Sequence, residues 1–321
     1  MTKLVENSSP VRDSIQEATA SDAIVMAVLR LRYWQHLLNE MLKEKQFKVP
    51  IHLGFGHEAA AVAMDYSMAT EDRLCLTHRN TAYNLARIKS LDAILQHYRL
   101  EESSSVGGLM GSMNLAVDGS DIAYTSSILG NNLPVAAGMA MNRLVMRQPG
   151  VVFVLTGDGA MEEGSFWETL VFSCSHHLPL VIVVENNDHS MSSTIKQRRC
   201  NISIEQICKG VGIKYFSASG SIVGDSIAVL SQARASAELG NPACVELRLS
   251  TFCQHAGPTP GWPDDPLRIA IEDGLLVKDS PDDPVYHVRE ALGVDKYPVS
   301  YTHLRAHETD SYLVCRLLLE K

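Results

Sequence analysis

Two polar clusters stand 26 residues apart in the middle of the chain, Gly157-Asp158-Gly159 and then Asn186-Asn187. Each follows a short apolar run, Val151-Val-Phe-Val-Leu155 before the first and Leu180-Val-Ile-Val-Val184 before the second. Runs of this kind suit strands buried on both faces of a sheet. The interval between the clusters has room for one helix, from about Glu163 to His176, and one strand. In an open parallel sheet, ligands bind outside the carboxyl ends of the strands, so both clusters are expected at one crevice. The glycines let the backbone approach a ligand closely. N–H groups at the start of the helix after Asp158 form a site for anionic phosphate. Asp158 and the amide oxygen of Asn187 are hard oxygen donors, of the sort magnesium takes beside phosphate oxygens. The arrangement asks for a diphosphate bridged to the protein by one divalent ion.

The elements that must position these residues alternate along the chain. Ser21 or Asp22 is the expected N-cap of a long amphipathic helix, with Ile24, Val28, Leu31, Leu38 and Leu42 at near-helical spacing through Lys45. Pro50 to Gly56 reads as a turn-rich connector, followed by a small-residue helix from His57 to about Thr70. Gly107 to Met113 is a glycine-rich loop, and Gly130-Asn-Asn-Leu-Pro134 opens another helix. Gly212 to Phe216 and Ala243 to Leu247 are further strand candidates, separated by a helix from about Val223 to Leu239. Strand-helix-strand alternation predicts an α/β fold, a parallel sheet with helices on both faces. There is no internal repeat and no long linker, so residues 21–298 read as one domain behind a polar extension over 1–20.

Composition narrows the function further. The 321 residues are 45% hydrophobic, enough for a substantial core, and the net charge of −9 does not favour nucleic acid or an anionic membrane surface. No apolar run approaches the roughly 20 residues needed to span a bilayer. The N-terminus lacks the apolar segment of a secretory signal. The seven cysteines have no CxxC pair or metal-ligand spacing and read as reduced thiols. The expected address is cytoplasmic. The last stretch, Val299 to Lys321, resembles a translated sequencing adapter, two fixed stretches around a short variable one. It is set aside as a cloning or assembly scar, and on that reading the natural C-terminus is missing.

The GDG and Asn-Asn pair resembles the thiamine diphosphate signature in residues and spacing. From about Ala23 to Val277 the chain is similar to the alpha subunit of the first component of 2-oxo acid dehydrogenase complexes, the pyruvate, branched-chain and acetoin enzymes. His52-Leu-Gly-Phe-Gly-His-Glu-Ala59, Leu76-Thr-His-Arg79, Gly108-Leu-Met-Gly-Ser-Met113 and Ile128-Leu-Gly130 with Pro134 are the stretches that resemble it beyond the motif. The resemblance implies a thiamine-diphosphate-binding fold with magnesium held by Asp158, Asn187 and the backbone carbonyl of His189. It implies that Gly159 and Ala160 offer backbone N–H groups to the diphosphate, with Gly157 beside them. Arg79 would pair with a phosphate oxygen, and Ser127 and Leu129 would lie on the cofactor, Leu129 through its backbone against the aminopyrimidine. His255 would reach the active-site mouth near the phosphates, as a cofactor-binding and catalytic residue.

The implied reaction is decarboxylation of a small 2-oxo acid, followed by acyl transfer to a lipoyl group. The carboxylate that activates the aminopyrimidine is expected from a separate beta subunit in an α2β2 heterotetramer, with a lipoyl acyltransferase as a further partner. Glu58 is not assigned that role, because its stretch belongs to the diphosphate-binding subunit. His78 departs from the family's usual tyrosine, and Thr81 and Asn114 stand where histidines are common. Gln254-His255-Ala-Gly-Pro258 departs from the usual loop. The last departure leaves open a thiamine-dependent carboligase or decarboxylase uncoupled from lipoate, whereas the intact magnesium ligands and flanking glycines speak against a third reading, a non-catalytic regulatory relative.

Overall fold

The structure is a computed structural model that describes residues 22–117, 119–258 and 267–293, together with 296, 297, 299, 302 and 306. The reading of 1–20 as a polar extension lies outside those residues. So does the reading of 299–321 as a scar, apart from three positions.

Six strands form one parallel sheet: β1 (Arg73–Leu76), β2 (Ile122–Thr125), β3 (Val152–Gly157), β4 (Leu180–Asn186), β7 (Lys214–Ser219) and β8 (Ala243–Arg248). Their order is β2-β1-β3-β4-β8-β7, and β5 (His189–Ser190) pairs with β6 (Ser193–Thr194) as a separate small hairpin. The helices include α1 (Asp22–Lys43), α2 (Glu58–Ser67), α3 (Thr81–Ile88), α4 (Leu91–Tyr98), α5 (Asn132–Met146), α6 (Gly164–Ser175), α7 (Ile195–Arg198), α8 (Ile204–Val211) and α9 (Val223–Glu238). Among the described residues, no helix is long and apolar enough to cross a membrane.

Side chains alternate across a strand, and here the alternation divides the core in two. Phe153, Leu155, Val181, Val183 and Val245 point into one cluster, built with Leu29 and Leu38 of α1, Met64 of α2 and Leu230 of α9. Val152, Val154, Leu180, Ile182 and Cys244 point into the other, against Ala136 and Ala140 of α5, Phe166 and Leu170 of α6 and Cys208 of α8. The central strands are therefore apolar at nearly every position because both faces are covered. Burying one such Val, Leu or Phe side chain contributes about 1.5–3 kcal/mol.

The strand order reverses direction beside β1. The chain moves from β1 outward to β2, then returns to β3 on the other side of β1. Such a reversal opens a crevice at the carboxyl ends of the two strands, the place where doubly wound sheets bind ligands. Thr77-His78-Arg79 follows β1 and Asp158-Gly159 follows β3, so both stretches sit at that crevice. The connector before α2 is drawn in by Gly56, whose φ is +99° and whose Cβ, if it had one, would lie 2.0 Å from the carbonyl oxygen of Ser250. Only glycine lets these two loops pass so closely.

Candidate functional site

A cavity of about 210 Å³ occupies the crevice. Arg79, Ser127, Leu129, Gly157 and Asp158 line it, and so do Gly159, Ala160, Asn187, His189 and His255. Every residue assigned to cofactor, metal or catalysis from the sequence thus lines one cleft, beside or after β1, β2, β3, β4 and β8. Thr81 and Asn114 are not among its lining residues. Thr81 is buried and bridges the carbonyl of His52 (3.1 Å) and the hydroxyl of Tyr98 (3.0 Å).

Asp158 directly follows β3 and is 1% exposed. Arg198 of α7 donates from Nη2 to Asp158 Oδ2 at 2.6 Å and from Nε to Glu162 Oε1 at 3.0 Å. Burial pushes the Asp158 carboxyl above its ordinary range, and the Arg198 hydrogen bond and charge pull against that push. The helix expected directly after Asp158 is preceded by a 3-10 turn, Ala160–Glu162, before α6 starts at Gly164. The N–H groups of Gly159 and Ala160 therefore belong to that turn and not to the helix. Gly159 is required here, since a Cβ would stand 2.4 Å from Ser190 Oγ. At Gly157 a Cβ would meet no atom within 4 Å, so its backbone lies open to the cleft.

Asn187 is held by a chain of side chains that sequence reading overlooked. Tyr83 donates from its hydroxyl to Glu185 Oε1 at 2.7 Å, and His57 Nδ1 lies 2.8 Å from the same oxygen. His57 Nε2 lies 2.8 Å from Thr251 Oγ1, to which Asn187 donates from Nδ2 at 2.7 Å. The carboxylate accepts from Nδ1–H, so Nε2 accepts from the Thr251 hydroxyl, which leaves that oxygen to accept from the Asn187 amide. This order sets the flip of Asn187 and turns Oδ1 to the opposite side, where it accepts from the His189 N–H at 3.1 Å. Glu185, a charged residue closing an apolar strand, was the one visible signal for this network. Burial and the Glu185 charge push the Tyr83 phenol far above its usual value, so it remains a donor.

Arg79 donates to the Leu53 carbonyl at 2.6 Å and to the His255 carbonyl at 3.3 Å, which fixes its guanidinium at the cleft wall. Beside it, burial lowers His255 to about 4 and His78 to about 3, with the Arg79 charge adding to the effect. Burial lowers His52 to about 2, and burial with the charge of Arg32 lowers His36, behind the cleft, to about 3. In the unfolded chain these rings titrate near 6.5. Each folded value is depressed, so the associated stability is present above 6.5 and is lost as pH falls towards the folded values. His36 and His52, 1% and 4% exposed, would each lose about 1.4 kcal/mol per pH unit in that window. Thermal melts are expected to show a clear fall in melting temperature from pH 7 to pH 5; a flat profile would refute the burial argument.

A family profile described as Dehydrogenase E1 component matches residues 26–242. The chain belongs to the dehydrogenase E1 component family. It is 28% identical over 209 residues to the alpha subunit of acetoin:2,6-dichlorophenolindophenol oxidoreductase of Cupriavidus necator, covering 64% of this chain and 62% of that one. It is 27% identical over 163 residues to the mitochondrial pyruvate dehydrogenase E1 component subunit alpha-1 of Arabidopsis thaliana, covering 51% and 42%. The matched region thus spans about half the length of these relatives. A transketolase from Campylobacter jejuni superposes with a TM-score of 0.56 at 16% identity, over 70% of this chain and 37% of that one, and speaks for the fold. Thiamine diphosphate with a divalent metal ion is the cofactor set that this family and fold imply. The residues present fit it: a buried carboxylate, an amide oxygen of fixed orientation, and an open glycine backbone between them.

Proposed function

We propose that the chain is the alpha-type subunit of a thiamine-diphosphate-dependent 2-oxo acid or acetoin-type dehydrogenase. The observation that carries this reading is the meeting of Asp158, Asn187 and Arg79 at the strand-order reversal. Relatives named as an acetoin oxidoreductase alpha subunit and a pyruvate dehydrogenase E1 alpha subunit support it over a carboligase uncoupled from lipoate. When bound, thiamine diphosphate supplies a nucleophilic carbon that adds to a carbonyl and then stores the negative charge left by decarboxylation.

The chain's own residues have binding roles. Asp158 and the Oδ1 of Asn187, with the His189 carbonyl, hold magnesium. Arg79 neutralises phosphate charge, for which its guanidinium is well suited. Gly159 and Ala160 offer N–H groups to the diphosphate, and Ser127 and Leu129 lie against the rest of the cofactor. His255 acts at the mouth of the cleft. None of these residues is a carboxylate free to activate an aminopyrimidine. Asp158 is assigned to the metal, Glu185 is hydrogen-bonded by Tyr83 and His57, and Glu58 is engaged by Arg32. The missing carboxylate comes from a beta subunit in an α2β2 assembly. Ile128 and Leu129, 66% and 48% exposed at the cleft rim, lie where that partner would cover them. A lipoyl acyltransferase receives the acyl group, and the address is cytoplasmic.

Co-expression with the beta subunit tests the reading. The complex is expected to run as a heterotetramer on sizing and to decarboxylate small 2-oxo acids with an artificial electron acceptor. The alpha chain by itself is expected to be inactive, and decarboxylation without any partner would overturn the subunit argument.

A further inference from the structure

Three histidines from distant parts of the chain meet on one wall of the cleft. His52 comes from the connector before α2, His78 from the loop after β1, and His255 from the loop after β8. Ring centroids are 4.8 Å apart for His52 and His78, 4.8 Å for His52 and His255, and 5.0 Å for His78 and His255. Each ring offers one nitrogen, and these nitrogens all lie within 4.8 Å of one another. His52 is 4% exposed, yet among the described residues its Nδ1 has no hydrogen-bond partner. A buried polar atom without a protein partner is costly, and a bound ion would satisfy it.

We infer that His52, His78 and His255 form a second metal site, taking a borderline divalent transition ion such as zinc and distinct from the oxygen donors Asp158 and Asn187. The donor types separate the two sites: imidazole suits zinc, copper or nickel, whereas carboxylate and amide oxygens suit magnesium. Tetrahedral zinc with bonds of 2.0–2.1 Å sets its nitrogens roughly 3.3 Å apart. The ring nitrogens, within 4.8 Å of one another, must therefore close by at most about 1.5 Å. His78 and His255 are only half-buried and can make that movement. Burial keeps all three rings neutral near pH 7, and neutral imidazole is the ligating form. The same neutrality argues against a site for free phosphate built on imidazolium charge. Three protein ligands leave a fourth position open, and all three rings line the cleft, so that position is available to an anionic oxygen there. The inference does not rest on the thiamine reading.

The test is zinc titration of the full chain after chelator treatment, followed by calorimetry, with the zinc X-ray absorption edge recorded on the loaded protein. One tight equivalent is expected, with three imidazoles in the first coordination shell. His78→Gln and His255→Gln are each expected to weaken it at least about 100-fold, beyond the effect of losing an outer-shell partner. Asp158→Asn is expected to leave it unchanged. Weak binding insensitive to the histidine variants, or tight binding lost only in Asp158→Asn, would overturn the assignment. So would a wild-type absorption edge without imidazole ligands, whatever the folding of the variants.

Discussion

Asp158→Ala is expected to abolish magnesium-dependent thiamine diphosphate binding, measured by calorimetry on the chain assembled with the proposed beta subunit. Two effects act together. The substitution removes the charged ligand, and it leaves the Arg198 guanidinium, now 2.6 Å from Asp158 Oδ2, without its partner beside the cation position. Two unit charges 4 Å apart interact by about 4 kcal/mol at an effective dielectric constant near 20, roughly a thousandfold in affinity. Arg198 keeps its bond to Glu162 at 3.0 Å, so the fold around the turn is expected to survive. Asn187→Ala removes a neutral ligand and is expected to weaken binding without abolishing it. Arg198→Gln separates the two effects: it frees Asp158 from a competing cation and is expected to tighten magnesium binding. Undiminished cofactor binding in Asp158→Ala would rule out the assignment of this carboxylate.

The parts of the fold legible in the sequence were those fixed by local pattern. The continuous apolar runs of β3 and β4 could be read because both faces of those strands are buried. The strands β1 and β2 were not read, for a physical reason. Each is four residues long, and β2 lies at the sheet edge with Ala123 exposed, so neither builds a long apolar run. Asp158 and Asn187 were legible because they directly follow readable strands. The network that orients Asn187 was not, because its bonds join residues 128 and 64 positions apart. Arg198 was missed because it sits on a four-residue helix that ends beside Asp158 only after the small hairpin turns back. The three-histidine cluster was equally hidden: His78 and His255 could be noted as departures from a family pattern, but not as neighbours.

Arg32→Met is expected to be the most destabilising single change in the chain. Arg32, Glu58 and Asp283 are each 0% exposed. Arg32 donates to Glu58 at 2.6 and 3.0 Å, to Asp283 at 2.8 and 3.2 Å, and to the Leu275 carbonyl at 2.7 Å. Burial by itself would push the Asp283 carboxyl up, but the charge and hydrogen bonds of Arg32 hold it below its usual range. The stability tied to that depression is present above the ordinary carboxylate value and is lost only as pH falls through the lower folded one. It therefore persists at a pH where the buried histidines have already begun to fail. Methionine fills the space of the Arg32 stem but leaves two buried carboxylates without a counter-ion. Breaking such a pair typically costs 3–5 kcal/mol, on the order of 10 °C in melting temperature for a domain of this size. Adding Glu58→Gln and Asp283→Asn to Arg32→Met removes the uncompensated charge and is expected to restore part of the loss. The site would feel the single change too. Glu58 accepts from the Gly56 N–H at 2.9 Å and follows His57, the ring that bonds Glu185 and Thr251 under Asn187. Cofactor affinity is expected to fall together with stability in Arg32→Met and to recover in the triple variant. A loss below about 1 kcal/mol in Arg32→Met would mean that water or relaxation reaches the triad, against its complete burial.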